Sequence, residues 1–496
     1  MNESPCPVQK KCGGCEFSGV PYEKQLEQKQ KALQALLSGF GRVEPILGME
    51  DPYYYRGKVH RALAYNKGRI LSGCYEAGSH RVVDQPECLL EDKKCQEIAA
   101  DVVKLISDFK LKIYDEDTGY GLMRHILLRR GFATDEIMLV LVLSERMFPG
   151  KNNFLKVLQE AHPEITTIVQ NVNPGHTSMV LGPQNATLFG PGFIRDSIGN
   201  LTFRISPSSF FQVNPKETEV LYRTAMDFAE LSGKETVLDA YCGTGTIGLS
   251  AAAHAKSVVG VELNPEAVTD ARKNAADNHI TNIAFTAEDA GQYMERQAAS
   301  RILYGRPEEE RFGRNASGDL VSARKGPYDV LFMDPPRTGA TEKFIRSAAK
   351  LAPRRIVYIS CGPDTLARDL SLFTKLHYKV EKIQPVDMFP FTSHAETVCL
   401  LSQRKPDTTI EVDLDISELE VSSAETKATY EEIKSYVLKK YGLKVSNLYI
   451  AQVKRECGIV ERINYNLPKT EGNRVPQCPE DKRKAIKDAF IHFQMI

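Results

Sequence analysis

The chain has 496 residues, equal numbers of acidic and basic side chains, and a hydrophobic fraction of 42%. This length is typical of roughly two to four domains with buried cores, and the composition is that of a soluble globular protein. No apolar run approaches the roughly 20 residues that span a bilayer, and the N-terminus has no signal-peptide core, so we expect a cytoplasmic protein without a membrane anchor. Because the net charge is zero, any nucleic acid would have to bind to local basic patches.

Three of the eleven cysteines fall within a short Pro- and Gly-rich segment near the N-terminus. They are Cys6, Cys12 and Cys15. A cytosolic chain argues against disulfides, and the spacing C-x5-C-x2-C with a remote fourth cysteine suits an iron–sulfur cluster better than zinc. The candidates for the fourth ligand are Cys74, Cys88 and Cys95. We choose Cys88 because it follows a proline turn, whereas Cys74 lies inside an apparent strand.

Residues 1–95 are expected to form the cluster segment and a small β-rich region. Apolar spacing predicts a helix over 22–39, and residues 54–83 predict short antiparallel strands with a turn at Asn66–Gly68. This strand region is basic, and only Glu76 opposes its positive side chains. They are Arg56, Lys58, Arg61, Lys67, Arg69 and Arg81. Two interpretations of these basic residues remain open: they form a nucleic-acid-binding patch or an ordinary solvated surface.

Residues 96–205 are expected to form a central α+β domain, closed by the cluster segment, with helices on one face of its sheet. The predicted helices cover 92–109 and 151–161, and the predicted strands 125–130, 137–143 and 166–172, followed by short strands over 178–205.

From 206 to 405, strands alternate with helices, which predicts a doubly wound α/β domain with a mostly parallel sheet. The predicted strands are 236–240, 257–262, 282–286, 329–333, 355–360, 377–385 and 396–402. The last two have no long helix between them and predict a terminal antiparallel hairpin. A helix over 215–231 begins after Asn214 as its cap. Residues 300–327 interrupt the alternation and are interpreted as an exposed insertion.

The first strand of this domain ends in a glycine turn that is typical of nucleotide-like cofactors. Gly243 and Gly245 allow close approach of the backbone, and the helix that follows begins with free N–H donors. About twenty residues later, Glu262 ends the second strand, where a carboxylate can accept both hydroxyls of a ribose. This pattern alone fits a nicotinamide cofactor as well as S-adenosylmethionine.

Two later strand ends indicate methyl transfer to a pyrimidine rather than hydride transfer. Asp334 ends one strand, before Pro335-Pro336-Arg337, and Cys361 ends the next, before Gly362-Pro363. Methylation of uracil at C5 needs a thiolate that adds to C6 and a base that removes the C5 proton. A hydride-transfer site needs neither group.

Cys361 is the candidate nucleophile because it stands at the carboxyl edge of the sheet, where open α/β sheets bind their ligands. A buried structural cysteine is the alternative. Cys242 lies inside the cofactor turn and is not expected to be the nucleophile. Glu396 opens the last strand and could project into the same cleft or be a surface glutamate, and His394 is the rival base.

Five motifs, in this order, resemble those of the RNA uracil-5-methyltransferase family. They are Phe210–Asn214, Asp239–Gly245, Asp334–Arg337, Ser360–Pro363 and His394–Val398. The resemblance covers roughly residues 5–403 and implies a Rossmann-like methyltransferase domain with Cys361 as nucleophile and Glu396 as base. The implied ligands of S-adenosylmethionine are Gln212, Tyr241, Glu262 and Asp334, with Gly243 in the turn beside them.

The resemblance also implies that four cysteines hold a 4Fe–4S cluster. They are Cys6, Cys12, Cys15 and Cys88. Because the transfer-RNA branch of the family lacks this cluster, the expected substrate is 23S ribosomal RNA, and 5-methyluridine formation in transfer RNA is the alternative. The central domain would then bind RNA, and the enzyme is expected to be a monomer.

Two hypotheses from other classes remain open at this point. A nicotinamide-dependent oxidoreductase is disfavoured by the Asp-Pro-Pro-Arg and Ser-Cys-Gly-Pro turns. An RNA-binding scaffold with an inert methyltransferase fold is disfavoured by the retention of both Cys361 and Glu396.

The C-terminal region departs from the family pattern. An acidic connector over 406–427 is expected to precede a helical unit over 428–496, with helices at 429–441, 447–457 and 480–493. Two interpretations of its basic residues remain open: they form a phosphate-binding surface or a charged helical surface. They are Lys434, Lys439, Lys440, Lys444, Lys454 and Arg455. We also expect no room for the β-barrel RNA-binding domain that many ribosomal members carry before the cluster.

Overall fold

The computed structural model of the chain describes residues 6–175, 177, 179–303, 313–314, 320–321, 327–404, 430–457 and 478–493. The chain divides into two compact units, Met1–Lys405 and Pro406–Ile496. The predicted acidic connector and most of the predicted 300–327 insertion lie outside the described residues. None of the helices described is both long enough and apolar enough to cross a lipid bilayer.

The first sheet of the larger unit has six strands. They are β1 (Lys58–Asn66), β2 (Arg69–Gly73), β3 (Met123–Arg130), β4 (Ile137–Leu143), β5 (Ile165–Val172) and β6 (Gln184–Phe189). Their order is β2-β1-β3-β4-β5-β6, and all neighbours are antiparallel except β4 and β5, which are parallel. The sheet therefore spans the predicted boundary near residue 95, because β1 and β2 pair with the strands that follow it.

Three helices accompany this half of the unit: α1 (Tyr22–Leu37), α2 (Lys93–Asp108) and α3 (Lys151–Ala161). The last two cover one face of the first sheet, where Ile98 and Phe154 share a buried apolar cluster with Ile126 and Leu139. Each such side chain contributes about 1.5–3 kcal/mol through burial. The prediction of a sheet with helices on one face is thus confirmed.

The second half of the unit begins with a hairpin, β7 (Ile194–Ile198) and β8 (Leu201–Ile205). The further strands are β9 (Thr236–Ala240), β10 (Ser257–Glu262), β11 (Ile283–Ala287), β12 (Gly313–Arg314), β13 (Leu320–Val321), β14 (Val330–Met333), β15 (Arg355–Ser360), β16 (Tyr378–Val386) and β17 (Glu396–Gln403). β12 pairs with β13, and the other seven form a sheet in the order β11-β10-β9-β14-β15-β17-β16. Strand β17 is antiparallel to both β15 and β16, which confirms the predicted terminal hairpin.

Helices lie on both faces of this second sheet. They are α4 (Pro215–Ala229), α5 (Thr246–Ala252), α6 (Pro265–Asp277), α7 (Ala290–Leu303), α8 (Glu342–Leu351) and α9 (Pro363–Lys375). Helices α4, α5 and α6 share one apolar cluster with the sheet. Helices α7, α8 and α9 share the other, together with Leu33 and Leu37 of α1. As predicted, Asn214 caps α4 by accepting the Glu217 N–H at 3.4 Å.

The smaller unit contains α10 (Tyr430–Tyr441), α11 (Asn447–Glu456) and α12 (Glu480–His492). All three were predicted from the sequence. They enclose an apolar core of their own, in which Ile433 and Ile450 cluster with Ile486 and Phe490. One of the predicted phosphate-binding lysines is engaged inside this unit, because Lys440 Nζ lies 2.8 Å from Asp488 Oδ2.

The basic residues of segment 54–83 do not form one surface. The Arg61 side chain is buried, and its Nη2 lies 2.6 Å from Glu91 Oε2. Arg81 Nε lies 3.2 Å from Glu76 Oε2. The interpretation of the segment as a nucleic-acid patch therefore does not extend to Arg61, because an alternating strand turns some of its side chains inward.

Candidate active site

The predicted site residues converge because several strand ends meet at one edge of the second sheet. Strands β9, β10, β14 and β15 are parallel, so their carboxyl ends share that edge. The residues at or just beyond these ends are Tyr241, Gly243, Glu262, Asp334 and Cys361. Strand β17 runs the opposite way beside β15, with Thr397 opposite Ser360, so Glu396 begins at the edge where Cys361 lies.

The turn after β9 is built for close backbone approach. Tyr241, Gly243 and Gly245 all have positive φ angles of 65°, 54° and 85°. A Cβ at Gly245 would lie 2.8 Å from the Phe285 ring, whereas one at Gly243 would meet no atom within 4 Å. The turn is therefore closed on its sheet side and borders open space at Gly243.

Glu262 is fixed at the tip of β10 in an orientation that suits a ribose. Its Oε2 accepts the Gly243 N–H at 3.1 Å, and its Oε1 accepts the Asn264 N–H at 2.8 Å. A carboxylate held in this way retains lone pairs for two hydroxyl groups. Together with the open space at Gly243, it fits the adenosine half of S-adenosylmethionine.

Asp239 supports the turn from below. Its carboxylate is buried, and Oδ2 accepts the Gly248 N–H at 2.7 Å. Burial raises the pKa of this group to about 8. Its Oδ1 has no hydrogen-bond partner among the described residues. Tyr222 of α4, whose hydroxyl lies 2.7 Å from Thr246 Oγ1, carries a pKa raised chiefly by burial and then by nearby carboxylates, Asp334 and Glu396 among them.

Cys361 and Glu396 share one electrostatic environment. Burial, and then the carboxylates of Glu396 and Asp334, raise the pKa of the half-buried Cys361 thiol to about 11, and Arg337 opposes that rise. Burial, and then Asp334, raise the pKa of Glu396 to about 8, again against Arg337. Burial also raises the pKa of Asp334 to about 7. A thiol, two carboxyl groups and a guanidinium therefore act on one another at the sheet edge.

Gln212 lies in the loop between β8 and α4, where it lines a small cavity with Lys58 and Arg129. The buried Arg129 fixes this loop, because its Nη2 donates to the Ser209 carbonyl at 2.6 Å. The neighbouring Phe210 ring is 67% exposed, so an aromatic surface is available beside the position predicted to hold the cofactor.

Two alternatives from the sequence are placed differently. Cys242 is buried, its backbone N–H donates to the Val261 carbonyl at 3.0 Å, and burial raises the pKa of its thiol well above the ordinary range. It is a part of the turn, in line with the expectation that it is not the nucleophile. His394 is partly exposed in the loop before β17, with its backbone N–H 3.2 Å from Thr392 Oγ1.

The four predicted cluster cysteines line one cavity. Leu89, Leu90 and Phe391 enclose it, and its cysteines are Cys6, Cys12, Cys15 and Cys88. Burial, and then the other three thiolates, raise the pKa of Cys15 to about 12. The set thus fits a four-thiolate cluster in number and kind. Within the described residues, however, no three His, Cys, Asp or Glu side chains are arranged to hold a metal ion, so the thiols would have to converge further.

Neither of the two other cysteines weighed as fourth ligand lines this cavity, but Cys74 contacts one of its thiols. Cys74 lies just after the end of β2 rather than inside a strand, and its thiol hydrogen-bonds to Cys12, which lowers the pKa of Cys12 to about 6. Cys95 is fully buried in the first turn of α2.

The cysteine segment is tied to the loop that leads into Glu396. The Phe17 N–H donates to the Phe391 carbonyl at 3.0 Å, and Lys29 Nζ lies 2.5 Å from Asp387 Oδ1. The Tyr22 hydroxyl donates to the other Asp387 oxygen at 2.8 Å. Both side chains of the Lys29–Asp387 pair are almost fully buried. Sequence reasoning missed this pair, and it also assigned no role to Tyr222 or Arg337.

A doubly wound sheet with an antiparallel β17, a glycine turn after β9 and a carboxylate at the tip of β10 defines the class of S-adenosylmethionine-dependent methyltransferases. The sequence profile of the family described as tRNA (uracil-5-)-methyltransferase matches residues 195–404. An uncharacterized RNA methyltransferase of Halalkalibacterium halodurans is 38% identical over 404 residues, which is 80% of this chain and 83% of that protein. One from Clostridium tetani is 41% identical, covering 81% and 83%.

A solved structure is also similar: the Pyrococcus abyssi tRNA (uracil-54, C5)-methyltransferase in complex with S-adenosyl-L-homocysteine. It shares 26% identity and a TM-score of 0.62 over 79% of this chain and 86% of that one. The chain belongs to the RNA uracil-5-methyltransferase family and is an S-adenosylmethionine-dependent RNA methyltransferase.

Proposed function

We propose that the protein methylates C5 of a specific uridine in 23S ribosomal RNA, with Cys361 as nucleophile and Glu396 as base. The observation that carries this proposal is the pairing of β15 with β17, which brings a thiol and a buried carboxyl to one sheet edge. Gln212, Tyr241, Gly243, Glu262 and Asp334 would hold S-adenosylmethionine.

The chemistry assigns one bond change to each residue. The Cys361 thiolate adds to C6 of uracil, and the C5–C6 π electrons move into an enolate that makes C5 nucleophilic. When bound, S-adenosylmethionine would supply the methyl group to C5, with cleavage of its S–CH3 bond and release of S-adenosylhomocysteine. Glu396 then takes the C5 proton, the C5–C6 double bond forms again, and the Cys361 sulfur leaves as the thiolate.

Arg337 has a defined role in this scheme. The raised pKa values of Cys361 and Glu396 mean that both groups are mostly protonated at neutral pH before substrates bind. Arg337 favours the ionised form of each. It therefore increases the fraction of enzyme that has the thiolate and carboxylate the reaction requires.

RNA with 5-fluorouridine at the target position tests the nucleophile. Fluorine cannot leave C5 as a proton, so the enzyme should remain covalently attached to the methylated RNA. The Cys361→Ala variant should form no adduct while still binding S-adenosylmethionine, and Cys242→Ala serves as the matched control that keeps it. Methylation by Cys361→Ala, or loss of the adduct only in Cys242→Ala, would refute the assignment.

Transfer RNA is a second candidate substrate. The family description and the Pyrococcus abyssi structure both name transfer RNA, whereas the four-cysteine cavity supports the ribosomal branch. Mapping 5-methyluridine in both RNAs from cells that lack the protein decides between them. Loss of the modification at a 23S position supports the proposal, and loss only in transfer RNA favours the second candidate.

We also propose that the four cysteines of the cavity hold a 4Fe–4S cluster that stabilises the fold. Nothing in methyl transfer to uracil requires an electron. Protein purified without oxygen should be brown and contain about four irons and four sulfides per chain. Cys88→Ser should lose the cluster and unfold at a lower temperature, with Cys457→Ser, in the smaller unit, as the control that retains iron. A single zinc without sulfide would contradict the cluster.

A further inference from the structure

A groove of about 490 Å³ lies at the far end of the first sheet, away from the cofactor turn. Ile70, Leu111 and Ile113 form part of its lining, and Tyr65 and Tyr120 stand at its edges. These two tyrosines are 67% and 81% exposed. Rings this exposed contribute little to the core, so their apolar faces are available to a ligand.

The turn that carries Tyr120 is held in one conformation. The Asp115 N–H donates to the Tyr120 carbonyl at 2.8 Å, and the Gly119 N–H donates to the Asp115 carbonyl at 2.8 Å. Gly121 has a φ of 118°, and a Cβ there would lie 2.1 Å from the Ile113 carbonyl oxygen. Since this turn is fixed by its own hydrogen bonds and close packing, little ordering is needed when a ligand contacts the ring.

The groove also carries positive charge. Lys110 and Lys112 line it, and Lys67 is exposed on the adjoining β1–β2 turn. None of the three forms an ion pair with another residue that the structure describes. The lining carboxylate of Asp115 is turned into its own loop, where Oδ1 accepts the N–H groups of Asp117 and Thr118 at 3.0 and 2.8 Å.

Strand β1 connects this groove to the catalytic half. At its start, the Gly57 N–H donates to the Val213 carbonyl at 2.9 Å, next to Gln212. Tyr65 lies near the other end of the strand, so the two positions are separated by roughly 25 Å at about 3.3 Å per residue. That separation corresponds to roughly seven stacked nucleotides at about 3.4 Å each.

We propose that the groove binds single-stranded RNA that flanks the target uridine, with bases on Tyr65 and Tyr120 and phosphates on the lysines. Unpaired bases stack on exposed aromatic rings, and lysines without ion pairs attract the phosphate backbone. This inference rests on the proposed function, because the strand bound here is part of the same substrate.

Fluorescence anisotropy of a labelled short oligouridylate measures the affinity of the enzyme for single-stranded RNA. Tyr65→Ala/Tyr120→Ala should weaken binding about tenfold or more, and Tyr65→Phe/Tyr120→Phe should restore it, since stacking needs the ring and not the hydroxyl. Lys110→Gln/Lys112→Gln should reduce the salt slope by about 1.4, at about 0.7 per phosphate contact of a single strand. Lys156→Gln, an exposed lysine of α3 in the same half of the unit, is the matched control.

The outcomes separate this inference from the proposed function. If the variants keep the affinity and the salt slope of the unaltered enzyme, the groove does not bind RNA and a protein partner becomes its better occupant. If the unaltered enzyme forms no 5-methyluridine in any RNA, the proposed function fails, whatever the groove binds. S-adenosylmethionine affinity should be equal in all variants, because no substituted residue lies at the cofactor turn.

Discussion

At the scale of single residues, buried carboxyl groups determine how the reaction rate should depend on pH. Glu396 accepts a proton only when ionised, and burial raises its pKa to about 8. The reaction also requires the Cys361 thiolate, whose pKa is raised to about 11, so turnover should rise as the pH increases through about 8 and continue to rise toward 11. Arg337→Gln should move this rise to higher pH, because Arg337 lowers the pKa values of Glu396 and Cys361.

The size of this effect follows from the ionised fraction. If the loss of Arg337 raises the pKa of Glu396 by about one further unit, the ionised fraction of Glu396 and the rate at neutral pH should fall about tenfold. Initial rates at saturating substrate, which include the proton-removal step, measure it across the pH range, and Arg346→Gln, an exposed arginine that pairs with Glu342 on α8, is the control. If the rate depends on pH in the same way in Arg337→Gln and in the control, Arg337 does not act on the ionisation of Cys361 and Glu396.

Glu396 and His394 are distinguished by where the reaction stops. In Glu396→Gln, Cys361 can still add to C6 and C5 can still accept the methyl group, but the glutamine cannot remove the C5 proton. The variant should accumulate a covalent adduct with ordinary uridine, seen as a slower band in denaturing gels, while His394→Gln should turn over normally. Unchanged turnover in Glu396→Gln would make His394 or water the base.

At the scale of elements, a buried ion pair, Lys29–Asp387, joins α1 to the loop before β17. Lys29→Met would leave the buried Asp387 carboxylate without its cationic partner, close to the buried Glu217. We expect a loss of about 3–5 kcal/mol in the free energy of unfolding, measured with denaturant. Lys24→Met, which removes an exposed pair on the same helix, should leave the unfolding midpoint unchanged.

Local signals explain which elements could be predicted from the sequence. The Asn214 cap, the strand ends and the β1–β2 turn each depend on a few consecutive residues, and all were located. The Arg61–Glu91 and Lys29–Asp387 pairs join residues 30 and 358 positions apart, and no local pattern reveals such contacts. For the same reason the sequence placed Arg61 on a surface and gave Tyr222 no role.

At the scale of the whole molecule, the larger unit should fold and bind S-adenosylmethionine without the smaller unit. The C-terminal helices have their own apolar core, so deletion of residues 406–496 should leave the thermal unfolding of the larger unit and its S-adenosylmethionine affinity unchanged. A lower melting temperature would contradict this. RNA affinity and its salt slope in the truncated enzyme then decide between a phosphate-binding surface and a charged helical surface.

The contact between the N-terminal segment and the loop at Phe391 also fixes an order of assembly on the ribosome. At about 5–20 residues per second, the chain needs on the order of tens of seconds to extend from Phe17 to Phe391. During that time the wall of the cysteine cavity that Phe391 provides has not been synthesised. The cavity around the thiols of the N-terminus can therefore close only late in translation.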